Sequence, residues 1–330
     1  MVLDPDNVFW LTGIWELHDQ AFLLLNRGTW TGLARTSASV EPRDFELIPN
    51  SGGGPDWLRG AQLITGDQIP VDAEPPLQLL RAFRGRRLIS APGEIEAERQ
   101  VKDASEIATI VRNVEILNDA LRQIGRRIRP GTSELQLWSG LEGLLRDAVH
   151  GDVGMEGNLA SGAERTLEDD PHPVDRQIVQ GDLVLLDAYP RLNGYYADLT
   201  RTWSCGPAAP ELKRMYSAIA SALDTVSSLL RPGAVGGRRD QAARNVLTEA
   251  GFPEAYAHHT GHGFGVKQQE SPWLKPGSND ILKEGMVVAV EPACYLAGLG
   301  GMRLEQDFLI TRDGARPLGD IAFSLEGEAP

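Results

Sequence analysis

Hydrophobic residues recur at helical spacing in two long stretches of the chain. The first stripe contains Ile107, Ile110, Val111, Val114, Leu117, Leu121, Ile124 and Ile128. Asp103 and Glu106 precede it with the spacing of a capping box, so we predict a long helix that ends at Arg129-Pro130-Gly131. A second, shorter helix is predicted over residues 134–149, because leucines recur there at the same period.

The same order of elements recurs later in the chain. Another apolar stripe runs from Leu212 to Leu230 and stops at Arg231-Pro232-Gly233, and a shorter helix is predicted over residues 241–250. Long helix, Arg-Pro-Gly, short helix and strands therefore occur twice. This repetition predicts an internal duplication with a cleft between two related halves.

Two aspartates lie between the repeats, on two strand-like segments joined by a turn. The segment reads LVLLDAYPRLNGYYADLTRTW and carries Asp187 and Asp198. Because side chains alternate along a strand, Thr200 is expected to share the face of Asp198. Two buried carboxylates that face each other repel, unless one is protonated or a cation lies between them. A solvated hairpin with two surface aspartates is the alternative, and these residues alone leave both open.

The first part of the chain has the pattern of a short α/β domain, without a polar constellation that indicates chemistry. We predict strands over residues 8–15, 21–27 and 29–35, and a loop over 51–57. A helix over 76–84 and a final strand over 87–90 follow. Ala91-Pro92-Gly93 is a plausible linker. The expected domains are therefore 1–92 and 93–330.

Composition and charge exclude several classes of function. The 330 residues are 42% hydrophobic and 24% charged, with a net charge of −14, so neither a nucleic acid nor an anionic membrane is an expected partner. The N-terminus lacks the pattern of a signal peptide, and no apolar run approaches the roughly 20 residues that span a bilayer. Cys205 and Cys294 are the two cysteines and lack metal-type spacing. A cytoplasmic enzyme is expected.

Three motifs in the second half supply partners for the aspartates. His262 lies among glycines in AHHTGHGFG, Glu291 ends an apolar strand in VVAVEPACY, and Glu305 lies in GGMRLEQDFLIT. Each residue taken singly is more often structural than functional. Four carboxylates and one imidazole together suit two hard-to-borderline divalent cations, whose charge they balance.

These five motifs resemble those of the pita-bread metallopeptidases of family M24, which include aminopeptidase P, prolidase, methionine aminopeptidase and creatinase. The resemblance covers about residues 94–319. It implies an α/β (α+β) fold: a pita-bread catalytic domain of two pseudo-symmetric halves, preceded by a short creatinase-type N-terminal α/β domain. The implied metal ligands are Asp187, Asp198, His262, Glu291 and Glu305.

The resemblance also implies an activity and a partner set. It implies an Xaa-Pro dipeptidase in which a metal-bound hydroxide cleaves the bond before proline in a small peptide. Manganese is the first expectation for the two ions, with cobalt, iron or zinc as alternatives, and a homodimer is expected. Asp198 and Glu305 would bridge the ions, Glu291 would shuttle a proton, and Thr200 would orient Asp198. Arg303 would orient the carboxylates, and His258 would lie near the substrate.

The sequence departs from the family pattern at two positions. Active peptidases continue GHGxGxxxHExP, whereas this chain reads GHGFGVKQQESP, which places Gln269 at a catalytic histidine. Glutamine donates hydrogen bonds but cannot become cationic, and such a loss costs on the order of 10²–10⁴ in rate. A family Pro-His pair has its candidate in His172, although a surface loop is the alternative there. His18, His150 and His259 are assigned no role.

Gln269 keeps two other functions open. One is an enzyme on the same scaffold that acts on a non-peptide C–N or C–S bond. The other is a weakly active or non-catalytic homologue that binds peptides.

Overall fold

A computed structural model describes most of the chain, namely residues 1–12, 21–26, 29–34, 46–49, 68–74, 77–91, 93–151, 153–319 and 324–326. Contacts divide the chain into two compact units, 1–99 and 100–330. The boundary expected from the sequence, between 92 and 93, lies seven residues before this division (99 − 92). The domain limits stay a prediction.

The first unit contains short helices and strands. They are α1 (Pro5–Thr12), β1 (Ala21–Asn26), β2 (Thr29–Ala34), β3 (Glu46–Pro49), β4 (Gln68–Val71), α2 (Leu77–Ala82), β5 (Arg87–Ser90) and α3 (Gly93–Arg99). Strands β1, β2 and β3 form one sheet, and β4 pairs with β5 in parallel. The strands predicted over 21–27, 29–35 and 87–90 and the helix predicted over 76–84 are confirmed, and the loop predicted over 51–57 lies outside the described residues.

The strand predicted over residues 8–15 is wrong for residues 8–12, which belong to helix α1 (Pro5–Thr12), and residues 13–15 lie outside the described residues. Asp4 Oδ1 accepts hydrogen bonds from the backbone N–H groups of Asp6 and Asn7, at 3.0 and 3.1 Å. Pro5 opens the helix with its φ already set for helical geometry. These start signals outweigh the apolar run on which the strand prediction rested.

The second unit contains two long helices, two shorter helices and most of the strands. The helices are α4 (Ala104–Gly125), α5 (Glu134–Val149), α6 (Pro210–Leu229) and α7 (Gly236–Glu249). The strands are β6 (Gly157–Ser161), β7 (Leu183–Ala188), β8 (Arg191–Leu192), β9 (Tyr195–Tyr196), β10 (Leu199–Ser204), β11 (Gly261–Gly263), β12 (Glu270–Leu274), β13 (Val287–Val290), β14 (Ala293–Leu296), β15 (Gly300–Arg303), β16 (Gln306–Thr311) and β17 (Gly314–Pro317). The capping box predicted at Asp103 and Glu106 begins α4. None of the described helices has the length and apolarity needed to cross a membrane.

The two halves of the second unit repeat one arrangement. Strands β7 and β10 are antiparallel neighbours, and the small hairpin β8–β9 lies between them in the chain. Strands β13 and β16 are also antiparallel neighbours, and the hairpin β14–β15 lies between them. The two sheets have the orders β10-β7-β6 and β12-β11-β13-β16-β17. This arrangement matches the duplication expected from the sequence.

Helix α7 begins five residues earlier than predicted, at Gly236 instead of Gln241. A Cβ atom at Gly236 would lie 2.1 Å from the carbonyl oxygen of Trp273. The glycine therefore permits the start of α7 to contact β12, and it does not interrupt the helix.

A buried ion pair joins the start of the second unit to strand β12. Lys102 Nζ lies 2.6 Å from Glu270 Oε1, and their side chains are 1% and 6% exposed. Lys102→Met is expected to lower the free energy of unfolding by about 3–5 kcal/mol, because it leaves a buried carboxylate without its lysine.

Urea unfolding monitored by circular dichroism measures this loss. The control is Lys213→Met, which removes an ion pair of the same length with Glu326 whose side chains are 55% and 42% exposed. Exposed pairs contribute about 0–1 kcal/mol. Equal effects of the two substitutions would contradict the prediction.

Candidate metal centre

The ends of four strands carry the four carboxylates predicted as ligands. Asp187 lies near the end of β7, and Asp198 immediately precedes β10. Glu291 immediately follows β13, and Glu305 immediately precedes β16. Corresponding places in the two halves therefore supply one pair of carboxylates each.

The four carboxylates and His262 line one cavity, which has a volume of about 840 Å³. Such a volume is in the range of small-molecule sites. Acidic side chains at Glu168, Asp169, Asp170 and Glu254 also line it. All five predicted ligands are buried, between 1% and 6% exposed. The structure thus brings the complete predicted set together.

His262 lies in β11, where the chain passes very close to a neighbouring strand. A Cβ atom at Gly261 would lie 2.1 Å from the carbonyl oxygen of Ala289. Strand β11 can pair with β13 at this distance only because glycine has no side chain. The glycines of the GHG motif therefore set the position of the imidazole.

The imidazole of His262 is neutral and directs one lone pair at carboxylates. Its Nδ1 lies 3.0 Å from the carbonyl oxygen of Gly263, which can only accept, so Nδ1 carries the proton. Its Nε2 lies 3.6 Å from both Asp198 Oδ2 and Glu291 Oε1. Burial lowers the pKa of His262 to about 4. A lone pair that faces two acceptors is the arrangement expected of a metal ligand.

Thr200 and Arg303 hold Asp187 and Glu305. Thr200 Oγ1 lies 2.9 Å from Asp187 Oδ1 and 2.7 Å from Glu305 Oε2, and it accepts a hydrogen bond of 3.0 Å from Arg303 Nε. Because the hydroxyl has one proton, it donates to one carboxylate at a time. Arg303 Nη2 donates to Asp187 Oδ2. The expectation that Thr200 orients Asp198 is wrong, since its two carboxylate partners are Asp187 and Glu305.

Gln268 donates to Asp198 instead. Its Nε2 lies 2.9 Å from Asp198 Oδ2. Its neighbour Gln269, and not Gln268, is the residue at the family motif's histidine position. No local sequence signal indicates which of two consecutive glutamines faces the site.

Burial and mutual repulsion raise the pKa values of three of the four carboxyl groups. Burial, and then Glu305, raise the pKa of Asp198 well above its ordinary range, and burial and Glu291 do the same for Glu305. Burial also raises the pKa of Asp187, against the opposing effect of Arg303. Burial acts in the same direction on Glu291, but His259 and Arg303 outweigh it and hold the pKa at about 2. Without cations, the cluster therefore favours bound protons.

Without metal, the protein is expected to become less stable as the pH rises above about 4, the ordinary carboxyl pKa. Asp198 and Glu305 have raised folded-state pKa values, so the folded state binds more protons than the unfolded state in this range. The slope of the unfolding free energy against pH is then negative. Glu291 has the opposite shift, to about 2, and its stabilisation is lost only on acidification below about 4.

Thermal unfolding in a chelator at several pH values checks this expectation. The melting temperature should fall between mildly acidic and mildly basic pH, and added Mn²⁺ should reduce that fall, since metal binding replaces the protons. A melting temperature that rises with pH in the chelator would count against it.

The donor set fits a pair of divalent cations. Two groups of residues among those described have ligand atoms that all lie within 4.8 Å of one another, namely Asp198, His262 and Glu305, and His259, His262 and Glu291. Glu291 Oε1 is buried without a hydrogen-bond partner. Carboxylates together with imidazole suit Mn²⁺, Co²⁺, Fe²⁺ or Zn²⁺.

Of the other predicted site residues, two line the cavity and one does not. His258 lines the cavity, with Nδ1 2.6 Å from the carbonyl oxygen of His259 and Nε2 3.2 Å from the Tyr295 hydroxyl. Gln269 also lines it, with an exposed side chain. His172 is exposed and is not among the described residues that line the cavity. The role expected of His172 stays a prediction.

His259, which the sequence analysis left without a role, lies inside the cavity. Its Nε2 is 2.9 Å from Glu291 Oε1, and its ring is edge-on to those of His262 and Trp273. The signal that could have identified it is its place three residues before His262. A histidine in such a segment is nevertheless more often packed than functional.

Comparison with known proteins identifies relatives of this unit. Residues 108–312 match the family described as metallopeptidase family M24. The chain is 34% identical to the uncharacterized peptidase YqhT of Bacillus subtilis, over 70% of this chain and 65% of that protein. It is 31% identical to the Xaa-Pro dipeptidase of Pyrococcus horikoshii, over 67% and 62%. The aligned region thus spans just under two thirds of these relatives.

A solved structure confirms the fold. The Xaa-Pro dipeptidase from Bacillus anthracis superposes with a TM-score of 0.90 at 25% identity, and covers 98% of this chain and 93% of that one. The predicted pita-bread architecture is therefore confirmed.

Proposed function

The chain belongs to metallopeptidase family M24, and on that premise we propose that it is a two-metal peptidase that hydrolyses the bond before proline in small peptides. The observation that carries the proposal is the convergence of five buried ligand side chains on one cavity. The chain's similarity to the Xaa-Pro dipeptidase of Pyrococcus horikoshii supports the substrate class.

The five side chains would hold two cations. His262 and Glu291 would be ligands of the same ion, because His262 Nε2 lies 3.6 Å from Glu291 Oε1. Two such ions, when bound, acidify a water molecule and polarise the scissile carbonyl. Manganese is the first candidate, and cobalt, iron and zinc are alternatives.

The protein's own groups provide position and proton transfer. Arg303 Nε lies 3.8 Å from Glu291 Oε2 and favours the ionised carboxylate, so Glu291 would accept a proton and not supply one at the start. Arg303 and Thr200 hold Asp187 by hydrogen bonds and so keep its oxygens directed into the cavity.

The cavity also suits a peptide with a free amino terminus. The acidic side chains that line it, Glu168, Asp169, Asp170 and Glu254, favour a terminal ammonium group. His258 accepts a hydrogen bond from the Tyr295 hydroxyl when its Nδ1 proton is donated to the His259 carbonyl, which fixes its ring on the cavity wall. The dimeric state and cytoplasmic location stay predictions.

A second candidate is the hydrolysis of a non-peptide C–N or C–S bond on the same scaffold. Gln269 favours it, because this exposed cavity residue stands where related peptidases have a histidine. An amide side chain cannot supply the positive charge that a peptide transition state attracts there.

One experiment separates these functions. Protein stripped with a chelator is reloaded with Mn²⁺, bound metal is measured by mass spectrometry, and Xaa-Pro dipeptides, tripeptides and proline-free dipeptides are assayed beside small amides. We expect about two ions per chain and turnover of the proline-containing dipeptides. Bound metal without peptide turnover would overturn the proposal, and turnover of an amide alone would support the second candidate.

A further inference from the structure

We propose that His259 is an additional metal ligand, and that its imidazole completes the coordination of the ion held by His262 and Glu291. The inference rests on the proposed function, because it needs a metal at the site. It adds a ligand to the five that the sequence motifs identify.

The first observation is a pair of buried polar atoms that lie in contact but form no hydrogen bond with each other. His259 Nε2 and Glu291 Oε1 are 2.9 Å apart. Their orientation does not suit a hydrogen bond, and both atoms are buried without a hydrogen-bond partner. Because a buried polar atom without a partner is destabilising, two such atoms in contact indicate a missing third group.

The chemistry of that missing group follows from its neighbours. A water molecule could donate to both His259 Nε2 and Glu291 Oε1, but the site also contains His262 Nε2, a third lone pair 3.6 Å from the same Glu291 oxygen. The three ligand atoms of His259, His262 and Glu291 lie within 4.8 Å of one another. Two nitrogen lone pairs and a carboxylate oxygen that converge are the donor set of a cation.

The distances agree with ligands of one ion. Adjacent ligands at right angles lie about 3 Å apart when each metal–ligand bond is about 2.1 Å. The 2.9 Å between His259 Nε2 and Glu291 Oε1 is close to this separation. Their spacing therefore needs no rearrangement of the backbone.

Aromatic contacts fix the direction of the His259 ring. Its centroid lies 5.2 Å from that of Trp273 at 78°, and 5.3 Å from that of His262 at 82°. Trp273 is the cross-strand partner of His262. The same pair of strands thus positions both imidazoles, as a pre-arranged ligand set requires.

A second imidazole has a consequence for metal choice. Nitrogen ligands suit Zn²⁺ and Co²⁺ better than Mn²⁺, which prefers oxygen. The site with His259 is therefore expected to hold zinc and cobalt more tightly than a site with one imidazole, and to gain less for manganese.

The test uses full-length His259→Asn and, as a matched control, His150→Asn. His150 is exposed at the end of α5 with a φ of 52°, a conformation that asparagine tolerates. Chelator-stripped proteins are titrated with Zn²⁺, Co²⁺ and Mn²⁺ separately in the presence of a competing chromophoric chelator. We expect His259→Asn to weaken one of two Zn²⁺ and Co²⁺ sites by about 10–100-fold and the Mn²⁺ site by less. His150→Asn should match the wild type.

The visible spectrum of the Co²⁺-loaded proteins is a second readout, because its bands change when one imidazole leaves the ion. Melting curves in chelator show whether the variant folds. Two sites of unchanged affinity and an unchanged cobalt spectrum in His259→Asn would overturn the inference and leave the proposed function intact. A wild type that binds none of the three metals would instead overturn the proposed function.

Discussion

Asp187→Asn is expected to reduce bound metal from about two ions per chain to about one and to lower kcat for Xaa-Pro dipeptides by at least about 10³-fold. Asp187 is the ligand nearest to Arg303, which donates to its Oδ2, while Thr200 contacts its Oδ1. Asparagine keeps the size of the side chain but removes its negative charge. The substitution therefore weakens electrostatic attraction for one cation while the shape of the cavity is kept.

Metal content by mass spectrometry and steady-state kinetics in saturating Mn²⁺ measure the two effects. Asp224→Asn is the control, because Asp224 is exposed on α6 and is not among the described residues that line the cavity. It should retain two ions and change kcat by less than about 3-fold, as expected for a screened surface charge. If Asp187→Asn retained two ions and full activity, the assignment of Asp187 as a ligand would be wrong.

Gln269→His is expected to raise kcat/KM for an Xaa-Pro dipeptide by about 10²-fold. The side chain at this position is exposed on the cavity wall, so the imidazole can be accommodated without a change in the core. A histidine can become cationic beside the scissile carbonyl, whereas glutamine can only donate a neutral hydrogen bond. The variant should also gain a limb in its pH–rate profile near the histidine pKa of about 6.5.

Gln241→His, on the exposed side of α7, is the matched control and should leave kcat/KM and the pH profile unchanged. A wild type without peptidase activity that becomes active in Gln269→His would identify the present chain as a peptide-binding homologue. Unchanged peptide turnover in Gln269→His, together with turnover of a small amide, would favour the non-peptide reaction.

Local sequence patterns predict most elements of the second unit because their start and stop signals are strong. The capping box at Asp103 begins α4 as expected. Asn193 and Gly194 both have positive φ, 51° and 81°, as a two-residue hairpin between β8 and β9 requires. This hairpin lies in the chain between β7 and β10, which pair antiparallel with each other.

The alternation of side chains along a strand gave a wrong prediction for Thr200, because Asp198 lies outside the strand. Thr200 was expected on the face of Asp198, but β10 begins at Leu199 and the alternation does not extend back to Asp198. In the register between β10 and β7, Thr200 is instead directly opposite Asp187. The hydrogen-bond partner of Thr200 is thus decided by the pairing between two strands. The spacing of residues within one strand does not reveal that pairing.

His259 shows a second limit of the same kind. Its sequence context, a His-His pair followed by Thr260 and Gly261, is compatible with a packed or a solvent-facing ring. The contact of its Nε2 with Glu291 depends on the pairing of β11 with β12 and β13. Both of these strands come later in the chain than His259. The role of such a histidine follows from its tertiary contacts and not from the local sequence pattern.

The placement of carboxylates at equivalent strand ends has an evolutionary consequence. Asp187 and Glu291 end the first central strand of each half, and Asp198 and Glu305 precede the second. Duplication of one half would account for this symmetric placement of four acidic groups. The imidazoles of His259 and His262 lie in or just before β11, in the second half, so they would make the surroundings of two bound ions unequal.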